Sequence, residues 1–306
     1  SPDSQDAAIR DAEVILHLAG VNRPEDPKEF ATGNAEFTRR ICDTLRGANR
    51  RPLIVLTSSI QAALDNPYGH SKRAAEDLVE AWAQASGGDA VIFRLRNVFG
   101  KWCRPNYNSV VATFCHNIAH DLPISISDPA RSLELVYIDD VTDALIRTID
   151  EPAAQGCARR DVEPVYRVTL GGLAEEIQAF RQSRTSLVLP SFATEFTRRL
   201  YATYLSYLAG PQFGYALEQK TDPRGSLAEF MKSASFGQIF VSRTKPGITR
   251  GNHYHHTKTE KFLVVEGEAV IRFRHVERAE VIEHRVSGAE FRVVEIPPGY
   301  VHSIEN

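Results

Sequence analysis

A doubly wound α/β domain followed by a smaller all-β domain is the fold class this sequence predicts, and the change of hydrophobic period along the chain predicts it. Up to about residue 150, short apolar runs alternate with helical patterns, as strands of a parallel sheet covered on both faces do. Beyond about residue 210 the period moves toward two, in short runs broken by Gly, Pro and charged turns, which marks an antiparallel sandwich or barrel. A chain of 306 residues also exceeds one ordinary core, since domains run roughly 50 to 250 residues.

In order, "AEVILHLAG", "RPLIVLTSS" and "AVIFRLRNVFG" read as buried strands, with "NAEFTRRICDTLR" and "SKRAAEDLVEAWAQA" as the helices between them. Asn66 is placed as the N-cap of the second helix, with Pro67 at its first position, where a missing N–H costs nothing. From 160 to 208 the pattern is helical ("LAEEIQAFRQS", "EFTRRLYATYLSYL") and ends in the turn-rich "AGPQFGYALEQKTDPRGS". This sets the expected domains at 1–209 and 210–306. The second holds the strand runs "QIFVSRT", "EKFLVVEGEAVIRFRHV", "VIEHRV" and "FRVVEIPPG".

Apolar residues make up 42% and charged residues 25%, as in ordinary soluble domains. With net charge −3, pI about 6.4 and dispersed Lys and Arg, no electrostatic footprint for nucleic acid or an anionic membrane exists. No apolar run approaches the roughly 20 residues of a spanning helix. Cys42, Cys103, Cys115 and Cys157 form no CxxC pair, so free thiols and a cytoplasmic location are expected. The N-terminus has no signal segment. It also has no Met, the single one being Met231, so residues before Ser1 are expected to be missing.

Tyr68 and Lys72, at i and i+4 in the first turns of a helix, share a face. A phenol with a pKa near 10 is a poor acid at neutral pH, and an adjacent ammonium is expected to bring that pKa down. Ser58 and Ser59 end the preceding strand, at the edge where open α/β sheets bind ligands. Asp65 and His70 read as surface residues.

On a strand, His253 and His255 project to one side while Tyr254 and His256 project to the other. Glu260 follows after a short turn, and His302 comes after a Pro-Gly bend. Three imidazoles and a carboxylate suit zinc, iron, manganese or nickel.

Several ordered segments resemble the extended short-chain dehydrogenase/reductases that act on nucleotide sugars: "EVILHLAGVN", "NAEFT", "LTSS", Tyr68-xxx-Lys72, "RLRNVFG" and "LVYIDDV". The resemblance implies a Rossmann-like fold in which Leu18, Ala19 and Gly20 pass close to NAD(P)H. It implies that Tyr68 protonates a carbonyl oxygen, that Lys72 binds the nicotinamide ribose, and that Ser59, with Ser58 as the alternative, orients the carbonyl. Asn97 becomes a substrate contact. Arg104, Asn106 and Asn108 in "KWCRPNYNSV" suit a UDP diphosphate or uracil, or else belong to a polar loop entering a helix. Where many members carry an Arg before "VYIDD", this chain has Leu133, which leaves Arg131 as the diphosphate candidate. The Gly-rich turn that would cradle the pyrophosphate does not occur, and "IQAALD" stands where the dehydratases add acidic residues just after the serine strand, which argues against that activity.

The spacings HxHxxxxE and PxGxxHxxxN are similar to the two cupin motifs, over roughly 220–306. They imply a metal on His253, His255, Glu260 and His302, expected to be zinc, in a barrel whose last strands lie beyond Asn306. "DPRGSLAEF" resembles the entry strand of cupin-type sugar-nucleotide epimerases and makes Arg224 a phosphate candidate. The pairing of the two domains resembles the CapF family of capsular-polysaccharide enzymes, through "GVNRP", "FGKWCRPNYNSV", "LYATYLSYL" and "KPGITRGNHYHHTK". That resemblance implies a homodimer in which the cupin inverts the third carbon of a UDP-4-keto-hexosamine and the reductase then reduces the ketone with NADPH. Two other readings stay open: a nucleotide-sugar reductase with a purely structural cupin, and a non-catalytic NADP- or metal-sensing scaffold.

Overall fold

The computed structural model describes residues 2–26, 28–151 and 155–306. The chain forms two compact units: Ser1–Ser186 with Pro190–Gly214, and Leu187–Leu189 with Tyr215–Asn306.

In the first unit, helix α1 (Pro2–Asp11) leads into β1 (Val14–His17), and a π-helical segment (Ala31–Glu36) runs into α2 (Phe37–Gly47). Then come β2 (Leu53–Ser59), a 3-10 turn (Ile60–Ala63), α3 (Pro67–Ser86), β3 (Ala90–Leu95), β4 (Asn97–Phe99), α4 (Val110–Ala119), β5 (Ser132–Tyr137) and α5 (Ile138–Asp150). The unit closes with β6 (Cys157–Arg160), β7 (Tyr166–Thr169), α6 (Leu170–Ser186) and α7 (Glu195–Leu205).

Strands β1, β2, β3 and β6 pair in that order, all parallel. Side chains of β2 alternate between two cores. Ile54 and Leu56 pack with Val79 and Trp82 of α3 and Leu45 of α2, while Val55 packs on the other face with Val141 and Leu145 of α5. The run "AVIFRLRNVFG" is two strands rather than one: β3 stays in the parallel sheet, and β4 pairs with β5, which pairs antiparallel with β7. A third core joins Phe99, Phe114, Leu135, Ile177, Leu200 and Tyr204.

Helix α3 carries the tyrosine and lysine, and its start is heavily specified. The Asn66 side chain accepts from the Gly69 N–H, Pro67 occupies the first turn, and left-handed Gly87 ends the helix at φ 69°. A Cβ on Gly69 would lie 2.3 Å from the Gln61 carbonyl oxygen, so only glycine lets α3 seat on the turn after β2.

The second unit is antiparallel throughout its sheets. These are β10–β9–β8 (Gly237–Thr244, Gly225–Ser233, Gln219–Asp222), β11–β16–β13–β14 (Thr249–His253, Tyr300–Glu305, Glu268–His275, Val281–Ser287) and β12–β15 (Glu260–Leu263, Val293–Ile296). Its core gathers Ile271, Phe273, Val286, Val294 and Ile296. Among the described residues no helix is long and apolar enough to cross a membrane, and all four cysteines are free.

Candidate active site and metal centre

Helix α3 and the C-terminal ends of β1 and β2 meet around Lys72. This side chain is 6% exposed, and its Nζ donates to the Thr57 carbonyl oxygen at 2.9 Å. The loop leaving β1 passes just above. A Cβ on Gly20 would sit 3.3 Å from Lys72 Nζ and 2.8 Å from Asn34 Oδ1, so the backbone approaches this amine as only glycine allows. Leu18 and Ala19 in the same loop are exposed.

The two serines at the end of β2 have separate environments. Ser58 is buried and donates to Glu76 Oε1 at 2.5 Å. Ser59 caps the turn after β2, accepting from the Gln61 N–H at 3.2 Å, and its hydroxyl interacts with the Tyr68 phenol. Tyr68 packs against Phe30 with ring centroids 5.7 Å apart.

One expectation is corrected by this geometry. Burial pushes the Tyr68 phenol above its ordinary pKa, and the Ser59 hydroxyl opposes that only in part. Burial also holds Lys72 below the usual lysine value, with Glu76 pushing the other way. Desolvation therefore dominates both groups, and the ammonium is directed to a backbone carbonyl.

Asn34, which opens the segment "NAEFT" but has no role assigned to it there, organises this region. It is 2% exposed, accepts from the Val21 N–H at 2.8 Å, and donates to the Val21 carbonyl at 3.1 Å and to Ser71 Oγ at 2.9 Å. Ser71 Oγ donates in turn to the Tyr68 carbonyl at 2.8 Å. The loop out of β1 is thus stapled to the tyrosine's own turn. His17, equally buried, shares a 2.8 Å hydrogen bond with Thr38 Oγ1. A histidine inside the apolar run "VILHLAG" was the available signal.

In the second unit, His253, His255, Glu260 and His302 offer ligand atoms that all lie within 4.8 Å of one another. Glu260 Oε2 is 3.1 Å from His255 Nε2 and 3.2 Å from His302 Nε2. Edges of about 3.3 Å follow from tetrahedral coordination at about 2.0–2.1 Å, so the donor set fits a divalent metal. His302 is buried, which lowers its pKa and leaves it in the neutral, ligating form. Burial would raise the Glu260 pKa, but the hydrogen bond and charge of Lys258 outweigh it and the carboxylate is held ionised.

The strand geometry expected for His-x-His is also corrected. Strand β11 ends at His253 after a bulge, with Asn252 at φ 62°, and His255 comes from the loop beyond. The two rings still meet, with centroids 5.0 Å apart, because His253 pairs with His302 across β16 and the loop folds back over both.

The sequence pattern of the NAD dependent epimerase/dehydratase family matches residues 1–160, and that of the polysaccharide biosynthesis C-terminal domain matches 220–306. A UDP-2-acetamido-2,6-beta-L-arabino-hexul-4-ose reductase of Pseudomonas aeruginosa is 46% identical over 298 residues, 97% of this chain and 80% of the relative. The crystal structure of the capsular polysaccharide assembling protein CapF from Staphylococcus aureus superposes with a TM-score of 0.90 at 47% identity, covering 100% of this chain and 83% of that one. The chain belongs to the CapF family. A Thermus thermophilus UDP-glucose 4-epimerase in complex with NAD shares the fold alone, with a TM-score of 0.51 at 19% identity, over 59% of this chain and 66% of its own.

The remaining candidate residues of this CapF-family chain are scattered. Asn97 is exposed and donates through Nδ2 to the Glu134 carbonyl at 3.3 Å. Arg104 lies over the Tyr107 ring at 5.1 Å, Asn106 donates to Asn117 Oδ1 at 3.2 Å, and Asn108 accepts from Arg23 Nε at 3.3 Å. Arg131 is exposed, its backbone carbonyl accepting from the Leu170 N–H at 2.9 Å. Arg224 sits in the turn between β8 and β9, held by Asp222 at 2.6 Å and 2.9 Å. Asp65 and His70 pair on the surface at 2.8 Å. Arg250 is a further polar side chain of the second unit, with Nε and Nη2 buried and without hydrogen bonds and Asp222 3.8 Å away.

Proposed function

We propose that this chain is a cytoplasmic, homodimeric enzyme of capsular or O-antigen polysaccharide synthesis acting on a UDP-4-keto-2-acetamido-2,6-dideoxyhexose. Its reductase domain, residues 1–209, reduces the 4-ketone with NADPH. Its cupin domain, residues 210–306, binds a divalent metal, zinc by preference, and inverts the third carbon beforehand. The observation that carries the reading is the 46% identity with a reductase whose name specifies a UDP-activated 4-ulose, over 97% of this chain. The Ser59 to Tyr68 contact and the position of Lys72 beside Gly20 support it.

Reduced nicotinamide, when bound, supplies the hydride; Gly20 brings the backbone of the loop after β1 close to Lys72. Leu18 and Ala19 continue that cradle. Tyr68 gives its phenolic proton to the ketone oxygen. Burial keeps this phenol protonated at neutral pH, so the proton is present, while the raised pKa makes the free phenol a weaker acid than an ordinary tyrosine. Ser59 orients the carbonyl by a hydrogen bond, and Lys72 stabilises the phenolate left behind. Asn97, Arg104, Asn106, Asn108 and Arg131 bind the sugar nucleotide in this reading, and Arg224 binds its diphosphate at the cupin.

His253, His255, Glu260 and His302 would hold the metal, which would supply a positive charge able to offset negative charge developing on the substrate. Inversion needs the ketone, because only the carbonyl makes the neighbouring C–H acidic. Once the fourth carbon is reduced that acidity is gone, so epimerisation precedes reduction.

The test combines the full-length protein with NADPH and the UDP-4-keto-hexosamine. One NADPH oxidised per sugar, with an inverted third carbon in the product, is expected. Oxidation without inversion reduces the cupin to a structural part, and no oxidation overturns the reading.

A further inference from the structure

Glu76 is 0% exposed, and the reaction above does not use it. It lies on α3 one turn beyond Lys72, at i+4 from Lys72 and i+8 from Tyr68, so all three occupy one helix face. Its Oε1 accepts from Ser58 Oγ at 2.5 Å and from Arg94 Nε at 2.9 Å, and its Oε2 accepts from Arg94 Nη2 at 2.6 Å. Arg159 Nη2 and Arg73 Nε stand 3.8 Å and 3.9 Å from Oε2. Ser58, Arg94 and Arg159 belong to the adjacent strands β2, β3 and β6. One carboxylate therefore gathers the C-terminal ends of three strands under the helix that bears the tyrosine.

Packing does not require this charge. Taking an ion out of water costs several kcal/mol, and a well-fitted apolar side chain often serves stability as well. The charge has a use in what it faces. Lys72 is buried, and burial favours the neutral amine. Among the described residues, the groups named next around it offer no negative charge. On β1, His17 is neutral at pH 7, its pKa lowered to about 4 by burial. Beside the loop that follows, Asn34 contributes an uncharged amide. At the end of β2 the Thr57 carbonyl accepts from Nζ, and on α3 Tyr68 keeps its proton.

We propose that Glu76 is the positioning residue of this site: it occupies the Ser58 hydroxyl so that Ser59 alone faces Tyr68, and its charge, one turn from Lys72 on the same helix face, favours the ammonium form of that lysine. An acid rather than an amide stands there because it accepts from Arg94 on both oxygens and also acts on Lys72. The catalytic meaning rests on the reductase reading, and the electrostatic claim does not.

The experiment follows the 13Cε resonance of Lys72 through pH in the lysine-labelled full chain, assigned by its loss in Lys72→Met. In Glu76→Gln the midpoint is expected at lower pH than in wild type, and Glu76→Asp is expected to restore it. Arg94→Gln, which strips the carboxylate of its main partner, is expected to move the midpoint to higher pH. In NADPH oxidation, the alkaline limb of kcat/KM for Glu76→Gln is expected to move the same way as its Lys72 midpoint. An unchanged Lys72 midpoint in folded Glu76→Gln or in folded Arg94→Gln overturns the proposal. So does failure of both variants to fold, because Glu76 would then be a stability residue. If the midpoints move as expected in a protein that consumes no ketosugar, the reductase reading falls and the Glu76 to Lys72 coupling stands.

Discussion

Asn34 donates through Nδ2 to Ser71 Oγ at 2.9 Å, and through this bond the loop after β1 is tied to the first turn of α3. The same amide satisfies both backbone groups of Val21. Replacing Asn34 with Ala would leave the part-buried N–H and carbonyl of Val21 without this partner, and a fully buried group of that kind costs about 1–3 kcal/mol. We expect Asn34→Ala to lower unfolding stability by about 2–4 kcal/mol and to weaken reduced-nicotinamide binding. Urea denaturation and fluorescence titration measure the two. A variant with wild-type values in both would show that the staple is dispensable.

Tyr68→Phe removes the proposed proton donor and keeps the ring against Phe30, whose centroid is 5.7 Å away. General acid groups contribute roughly 10²–10⁴-fold, so NADPH oxidation should fall by about that factor. Exchange of the proton at the sugar's third carbon with deuterated solvent should continue unchanged. Loss of both activities together would argue against two separate sites.

His17 makes stability depend on pH in a defined direction. Its pKa falls from 6.5 unfolded to about 4 folded, through burial and then the nearby Lys72 charge. Between those values the unfolded chain takes up a proton that the folded chain refuses, so stability is lost as pH falls from about 6.5 to about 4. The full contribution is about 3 kcal/mol. In His17→Gln that component of the pH dependence should vanish, as urea midpoints at pH 7 and pH 4.5 would reveal.

At the histidine cluster, metal binding should couple to stability. Ligand binding to the folded state adds about 2.7 kcal/mol when free ligand is about 100-fold above Kd. Chelation should lower the Tm of the wild-type protein but leave His302→Ala unmoved, because that variant loses a buried ligand. Elemental analysis of both proteins supplies the stoichiometry, and equal metal content would exclude His302 as a ligand.

Much of this was written in local sequence. Residues Asn66, Pro67 and Gly87 start and stop α3 by backbone chemistry confined to a few positions, and apolar period separates the parallel sheet from the antiparallel strands. The spacing of Tyr68 and Lys72 and the pattern of the four metal candidates were likewise legible in the chain. What local pattern could not supply was the environment of each group. Ser58 and Ser59 are neighbours of one type, and only the packing of α3 on β2 directs one hydroxyl to Glu76 and brings the other to Tyr68. His253 and His255 converge through a bulge and a loop rather than strand alternation. The lowered Lys72 pKa, the raised Tyr68 pKa and the neutrality of His17 arise from desolvation. Desolvation depends on which distant segments close over a side chain, and that is decided only when the chain has folded.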